Sequence, residues 1–264
     1  MRSDSGTAVA SAAPVSRFAG TLMDILDRVE YSRVRMDVTD NPIYRLRYEA
    51  YRREEFVPFN DAGIVVDDLD AATNGMSFGV HIDGELVSSI RIHHVTAKYP
   101  FGASMKSHPD VITPLLARGE TFIDPSRFTA DYEASLAYPA LPFLTLRIAV
   151  MASVYFNADA CLATVRTEHA AFYRRVFGSE LMGEEREYPG LAFPVQLFGA
   201  YVNTKLPATL RRYPFFMSTD EERAKLFARA EEVHFEAPQR ASSRLAYERA
   251  LLEQQFGGMA VAAE

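Results

Sequence analysis

Residues 141–157 combine the length of a helix with an apolar surface on nearly every side, Arg147 being their one charge. A helix of that kind has no face to give to water and must be buried. Thr145, Arg147 and Ser153 interrupt the run, and it falls short of the roughly 20 residues that span a bilayer, so the burial is against a sheet and no transmembrane segment is expected. Short apolar segments flank it, 120–126 before and Ala160–Val165 after, the second reading as a strand buried on both faces. A short helix then starts at Thr167 or Glu168 and stops at Gly178. This order of strand, buried helix, strand and helix predicts an α/β framework, and 264 residues suffice for one large domain with appendages.

Elsewhere the elements are read from local signals. Asp83-Gly84, between alternating segments 76–82 and 85–95, predicts a hairpin because both residues tolerate positive φ. Residues 21–31 carry Leu22, Ile25, Leu26 and Val29 at helical spacing, and 34–38 alternates as a strand. Asn41 can cap, and Pro42 can open, a helix reaching about Arg53. Residues 98–119, with several Pro and Gly, read as a mobile connector with a weak helical patch at 111–117. Residues 190–202 supply a further strand or two, interrupted by Pro194. A helix start at 218–222 continues through 233, and a second helix covers 242–255. The expected division is a disordered arm over 1–20, without the compact apolar core of a signal peptide, a domain over 21–213 and a helical extension over 214–264. That extension covers the site, mediates dimerisation or packs on the sheet.

The net charge of −7 argues against a general nucleic-acid binder and favours a small acyl or amino substrate. Cys161, the single cysteine, excludes an internal disulfide framework and reads as a buried structural thiol in a reducing cytoplasm. His93 and His94 are neighbours on a predicted strand and so point to opposite faces, which speaks against a metal site.

Charges set into apolar elements mark the candidate site. Thr121-Phe-Ile-Asp124-Pro-Ser-Arg127-Phe128 puts an acid and a base at the end of an apolar run, beside a proline that cannot donate to a ladder and should end pairing. Arg47 falls on the apolar stripe of its helix, with Ile43, Leu46, Ala50 and Tyr51. An unpaired buried guanidinium is costly, so Asp67, Asp68 and Asp70 are its candidate partners. Arg47 then either belongs to an ion cluster that pins a loop or touches substrate directly. Arg91 lies on the less apolar face of the second hairpin strand, with Val87, Ser89 and His93.

Taken in order, Arg47-xxx-Tyr51, Asp67-x-Leu-Asp70, Val87-Ser-Ser-Ile-Arg91 and Asp124-Pro-Ser-Arg127-Phe128 resemble the motifs of the acyl-homoserine lactone synthases and of their relatives, the long-chain N-acyl amino acid synthases. Both are branches of the GCN5-related N-acyltransferase fold, and the resemblance covers roughly 34–202. It implies an α/β (α+β) fold, with a mixed, largely antiparallel sheet flanked by helices and two central strands splaying apart to admit the pantetheine arm of an acyl donor. It maps Arg47, Tyr51, Asp67, Asp70, Arg91, Asp124, Arg127 and Phe128 onto the family's polar cluster and packing aromatic. The chain departs from the pattern twice. Lactone synthases carry a tryptophan after the first helix, where this chain has Phe56 and Phe59 and no Trp at all, and the family's glutamate is here the shorter Asp124.

The chemistry implied is attack of an α-amine on a thioester. Asp124 is the first candidate to take the ammonium proton, directly or through water, and Glu168 is the alternative base. Backbone N–H groups beside the splay can hold the oxyanion. Tyr173 stands where related enzymes place a tyrosine acid, and also reads as packing. Arg47, Arg91, Arg127 and Arg147 form the pool for a clamp on a substrate carboxylate. No Gly-rich phosphate loop follows Phe128, which points to acyl carrier protein rather than coenzyme A as donor, with no cofactor held. Lys106, Arg174, Arg175, Lys205, Arg211 and Arg212 are candidates for its landing patch. The leading reading is an N-acyl amino acid synthase. A lactone synthase consuming S-adenosylmethionine and a non-catalytic acyl-binding protein are the alternatives.

Overall fold

The computed structural model describes residues 15–34, 41–189, 193–228 and 238–260, the side chains through 254. Its strands are β1 Val29–Arg33, β2 Gly75–Ile82, β3 Glu85–Val95, β4 Phe122–Ala130, β5 Ala160–Val165, β6 Glu180–Glu187, β7 Pro194–Tyr201 and β8 Gln239–Arg240. They form one sheet in the order β6-β7-β5-β4-β3-β2-β1-β8. The helices are α1 Arg17–Leu26, α2 Pro42–Arg53, α3 Ala103–Ser107, α4 Pro109–Ala117, α5 Tyr132–Ala137, α6 Leu141–Tyr155, α7 Ala170–Phe177, α8 Val202–Arg212, α9 Asp220–Phe227 and α10 Ser243–Ala260. Among the described residues no helix is long and apolar enough to cross a membrane.

Every strand pairing is antiparallel except β4 with β5, which is parallel and bridged by α6. A parallel pair needs a crossover of that length. The pair consists of only Phe122↔Ala160 and Ile123↔Cys161, after which the strands part, just short of Asp124 and Pro125. On its other edge β4 goes on pairing with β3 as far as Ala130, so the expectation that pairing ends at Pro125 holds toward β5 alone. A bulge keeps that second ladder going: one residue of β3, Ile90, faces two of β4, Arg127 and Phe128, and Arg127 takes φ 53°.

The main core lies between one face of the sheet and α6, α1 and the segment after α8, with Tyr31, Phe78, Ile90, Leu144, Ile148 and Phe215 fully buried. A smaller one on the opposite face packs Ile112 and Leu116 of α4 against Val95, Phe122 and Leu162. The Asp83-Gly84 turn has both residues at positive φ, 52° and 87°, as a tight hairpin requires. The α2 start is as expected, with Asn41 accepting from the N–H of Ile43.

Several local expectations are corrected. Segment 98–119 is no mobile connector, because α3 and α4 lie in it and close the second core. The lead-in helix starts earlier, at Arg17, capped by Ser16, and stops at Leu26. Strand β1 then takes 29–33, its first three residues having been expected in the helix, since Val29 and Tyr31 find the sheet as their burial surface. Of the strand expected at 34–38, Val34 lies just past β1 and the rest falls outside the described residues. Most of the arm expected over 1–20 also falls outside them, and residues 17–20 belong to α1. Strand β6 was unforeseen, because its run of glutamates has no apolar alternation and it forms by backbone pairing to β7. Helix α9 ends at Phe227, short of 233.

Arg147, the one charge of α6, is fully buried and ion-paired to Glu222 of α9 at 2.6 Å, with further donations to the carbonyls of Phe215 (3.1 Å) and Met217 (2.7 Å). Glu222 also accepts from the N–H and hydroxyl of Ser242. This knot ties the segment after α8 to the sheet. Removing one member leaves a buried charge uncompensated, so Glu222→Ala should lower the unfolding free energy by about 3–5 kcal/mol. Urea denaturation measures it, and a loss under about 1 kcal/mol would show that Arg147 is not held by this pair.

Candidate active site

Helix α2 delivers Arg47 to the sheet with none of its surface exposed, and the guanidinium donates to Asp70 Oδ1 at 2.8 Å and to Ser77 Oγ at 2.9 Å. Asp67 and Asp70 belong to a 3-10 turn that they cap themselves, Asp67 accepting from the N–H of Leu69 and Asp70 from the N–H of Asp67. Arg91 reaches across from β3, its Nη1 lying 2.6 Å from Asp67 Oδ1 and 3.0 Å from Asp70 Oδ2, while its Nε donates to Ser126 Oγ at 3.1 Å. The bulge turns Arg127 to the same place, where Nε and Nη2 both donate to Asp67 Oδ2. Its guanidinium also lies 5.5 Å from the Tyr51 ring. Burial alone would push the Asp67 carboxyl up, but Arg91 and Arg127 outweigh it and hold the group well below the usual carboxylate range. Three guanidiniums thus share two carboxylates.

Asp124 lies beside this cluster and outside its ion pairs. It is completely buried at the point where β4 leaves β5. Its Oδ2 accepts from the N–H (2.8 Å) and hydroxyl (2.7 Å) of Ser104, whereas Oδ1 has no hydrogen-bond partner among the described residues. Burial pushes the carboxyl up to about 6, against the pull of the Ser104 bonds and of Arg91. Gly102 makes the contact possible, because a Cβ there would meet Asp124 Oδ2 at 2.4 Å. His93, opposite Asp124 in the ladder, hydrogen-bonds through Nε2 to Leu69 O at 3.0 Å, and burial lowers it to about 4, so it is neutral.

Between the parted strands a cleft of about 290 Å³ is lined by Arg91, Ser126, Arg127, Thr164, Tyr188 and Phe193. It shares Pro125, Leu146, Leu162, Ala163 and Tyr173 with a narrower, nearly wholly apolar space of about 50 Å³ that runs under α6, α7 and α8 toward Phe177 and Leu206. Polar groups stand at one end of this path and hydrocarbon at the other.

The structure brings Tyr51, Arg91, Arg127, Phe128 and Tyr173 to the cleft wall, with Arg47, Asp67 and Asp70 bonded directly behind. Tyr173 stands at the junction of cleft and apolar space, packed edge-on to Phe172 at 5.4 Å, and burial raises its phenol. Glu168 does not line the cleft; it pairs with Arg166 at 2.6 Å. Arg147 is elsewhere, bonded to Glu222. Phe56 is the aromatic that takes a place in the wall, whereas Phe59 is 71% exposed. Sequence reasoning missed Ser104, Tyr188, Arg166 and Phe193. Arg166 had a signal, since it follows the end of a parallel strand, where such sheets bind ligands. Tyr188 had none; its phenol, raised to about 12 by burial and by Asp124, follows a strand of glutamates.

No curated protein matches the chain by sequence. Among solved structures, FeeM, an N-acyl amino acid synthase from uncultured soil microbes, is similar with a TM-score of 0.55 at 15% identity, over 70% of this chain and 97% of that one. The acyl-homoserine lactone synthase LasI gives 0.51 at 17% identity, over 70% and 93%. BjaI, a CoA-dependent acyl-homoserine lactone synthase, gives 0.50 at 12%, over 70% and 89%. At such identities the likeness speaks for the fold. The family model of the N-acyl amino acid synthase FeeM, by contrast, matches the sequence itself over residues 42–201, which hold α2, the whole charged cluster and both parted strands. With more than half its length inside that model, the chain belongs to the N-acyl amino acid synthase family and is an acyltransferase.

Proposed function

We propose that this acyltransferase moves a fatty acyl group from the phosphopantetheine thioester of an acyl carrier protein to the α-amine of an amino acid. The observation that carries the reading is Asp124, a buried carboxyl with one oxygen anchored on Ser104 and the other without a partner among the described residues, next in the chain to Pro125, which lines both the polar cleft and the apolar space. The ammonium of the acceptor gives a proton to Asp124, directly or through one water. The freed nitrogen attacks the thioester carbonyl and the C–N bond forms; the C–S bond then breaks, and the departing thiolate takes the second proton that the nitrogen sheds, giving the amide and the thiol. Backbone N–H groups where the strands part are the donors for the oxyanion. Glu168 suits the base role less well, being half exposed and held by Arg166. The apolar space beneath α6 and α7, with Tyr173 at its mouth, marks the direction of the acyl chain, and at about 50 Å³ it must widen to take a long one.

The donor reading draws on the basic groups. Lys106 is paired with Asp68 and Lys205 with Glu180, both at 2.5 Å, and Arg174 lies over Phe198. Arg175 and Arg212 instead line a groove between the start of α6, α7 and the end of α8, beside Pro142, Phe143 and Phe172. Such a basic groove suits an acidic carrier protein, and no Gly-rich phosphate loop follows Phe128 to hold coenzyme A.

Three outcomes are expected. Asp124→Asn lowers kcat/KM by about tenfold or more with an unchanged thermal melt, and in the wild type kcat/KM falls as pH drops through about 6, because only the ionised carboxylate accepts the proton. An acid limb that persists unchanged in Asp124→Asn would assign it to another group. Charge reversal by Arg175→Glu with Arg212→Glu raises KM for acyl carrier protein far more than it changes kcat or the KM for acyl-CoA. Equal effects on both donors would remove the carrier-protein reading. Mass spectrometry of extracts from an expressing bacterium shows fatty acids in amide linkage to an amino acid with a free carboxylate. Homoserine lactones in their place would favour the lactone-synthase alternative.

A further inference from the structure

An amino acid acceptor brings a carboxylate into the cleft, and the guanidiniums expected to grip it are otherwise engaged. Arg47 is sealed behind the wall on Asp70 and Ser77, and Arg147 is bonded to Glu222. Arg91 lines the cleft but is only 1% exposed, with Nη1 between Asp67 and Asp70 and Nε on Ser126. Arg127 spends Nε and Nη2 on Asp67. Among the described residues the remaining guanidinium that lines the cleft is Arg166, just past the end of β5.

Arg166 is built for exchange. Its guanidinium lies 4.8 Å from the Phe193 ring and 5.8 Å from that of Phe56, an aromatic platform that orients the fork while leaving its edge free to bond. Its ion pair is with Glu168, two residues along, at 2.6 Å, with side chains 34% and 55% exposed. A pair so exposed contributes at most about 1 kcal/mol, so an incoming carboxylate displaces Glu168 at little cost. The backbone at Arg166 is still extended, which places its side chain on the face shared by Leu162 and Thr164. Continuing the register of Ile123↔Cys161 sets Leu162 opposite Asp124, so Asp124 stands on the β4 lip of the gap and Arg166 farther along the β5 lip. Arg166 thus puts a cation on the cleft wall beyond the level of Asp124, where the carboxylate of an acceptor entering the cleft can meet it.

We infer that Arg166, stacked on Phe193 and Phe56, is the clamp for the acceptor's carboxylate and that Glu168 is a latch holding it when no acceptor is bound. The inference rests on the amino acid reading of the site and adds which residues select the free acid. It also reverses the sign of what Glu168 does: a base is needed for turnover, whereas a latch competes with the substrate.

The test is steady-state kinetics of the full chain with a long-chain acyl carrier protein, comparing a free amino acid with its amide. Arg166→Gln should raise KM for the free amino acid by about tenfold or more and bring its kcat/KM close to that of the amide, with Arg166→Lys intermediate. Glu168→Gln should lower KM for the free amino acid by about twofold to fivefold. Undiminished preference for the free acid in Arg166→Gln, with wild-type turnover of amino acids intact, would overturn the clamp alone. Loss of turnover in Glu168→Gln would make Glu168 the base and overturn the latch. A wild type that acylates neither amino acid nor amide would overturn the parent reading itself.

Discussion

Asp67 accepts from Arg91 on β3 and from Arg127 on β4, while Asp70, one 3-10 turn away, accepts from Arg47 on α2 and pairs again with Arg91. That lattice of buried charge joins a helix, a turn and two strands. Desolvation makes such a cluster a poor source of net stability compared with hydrocarbon of the same volume, but loss of any one member strands a charge. Its effect is to allow a single arrangement. Arg91 and Arg127 then form a rigid cationic wall, with most of their donors already committed, and Asp124 sits behind it in a region dry enough to raise its carboxyl into the range of a useful base.

The parting of β4 from β5 depends on that frame. A central strand that leaves its neighbour exposes backbone groups, which must be satisfied by another partner. Here β4 keeps its other edge paired to β3 by means of the bulge at Arg127 and Phe128, so the sheet stays continuous while the opening toward β5 is held apart. The same bulge turns Arg127 into the ion lattice. Gap and lattice are therefore one construction. Polar groups gather on the side of α2 and the 3-10 turn, Leu146 and Leu162 stand at the junction and Phe177 and Leu206 line the far end, so the path across the sheet grades from charge to hydrocarbon as an acyl thioester and its acceptor would require.

What the sequence determined by itself were features whose cause lies within a few residues. The Asp83-Gly84 turn, the Asn41-Pro42 start of α2, the Gly178 stop of α7 and the all-round apolar α6 follow from dihedral preference, capping and periodicity, which act locally. The inward direction of Arg47 followed from its stripe, and the ordered charged motifs pointed to the family. Tertiary structure alone decided the partners. Ser104 as the anchor of Asp124 comes from a segment whose prolines and glycines read as a connector, and which became helix because Ile112 and Leu116 found the open face of the sheet. Arg147 looked like one more candidate for the substrate and is neutralised by Glu222, 75 positions away. Arg166 met Phe193 and Phe56, and Tyr188 was carried to the cleft by a strand with no apolar pattern. Such pairings depend on long-range packing, where the free energy of burying a charge or a ring is set by whatever the fold brings to it, and no local signal in the chain encodes that.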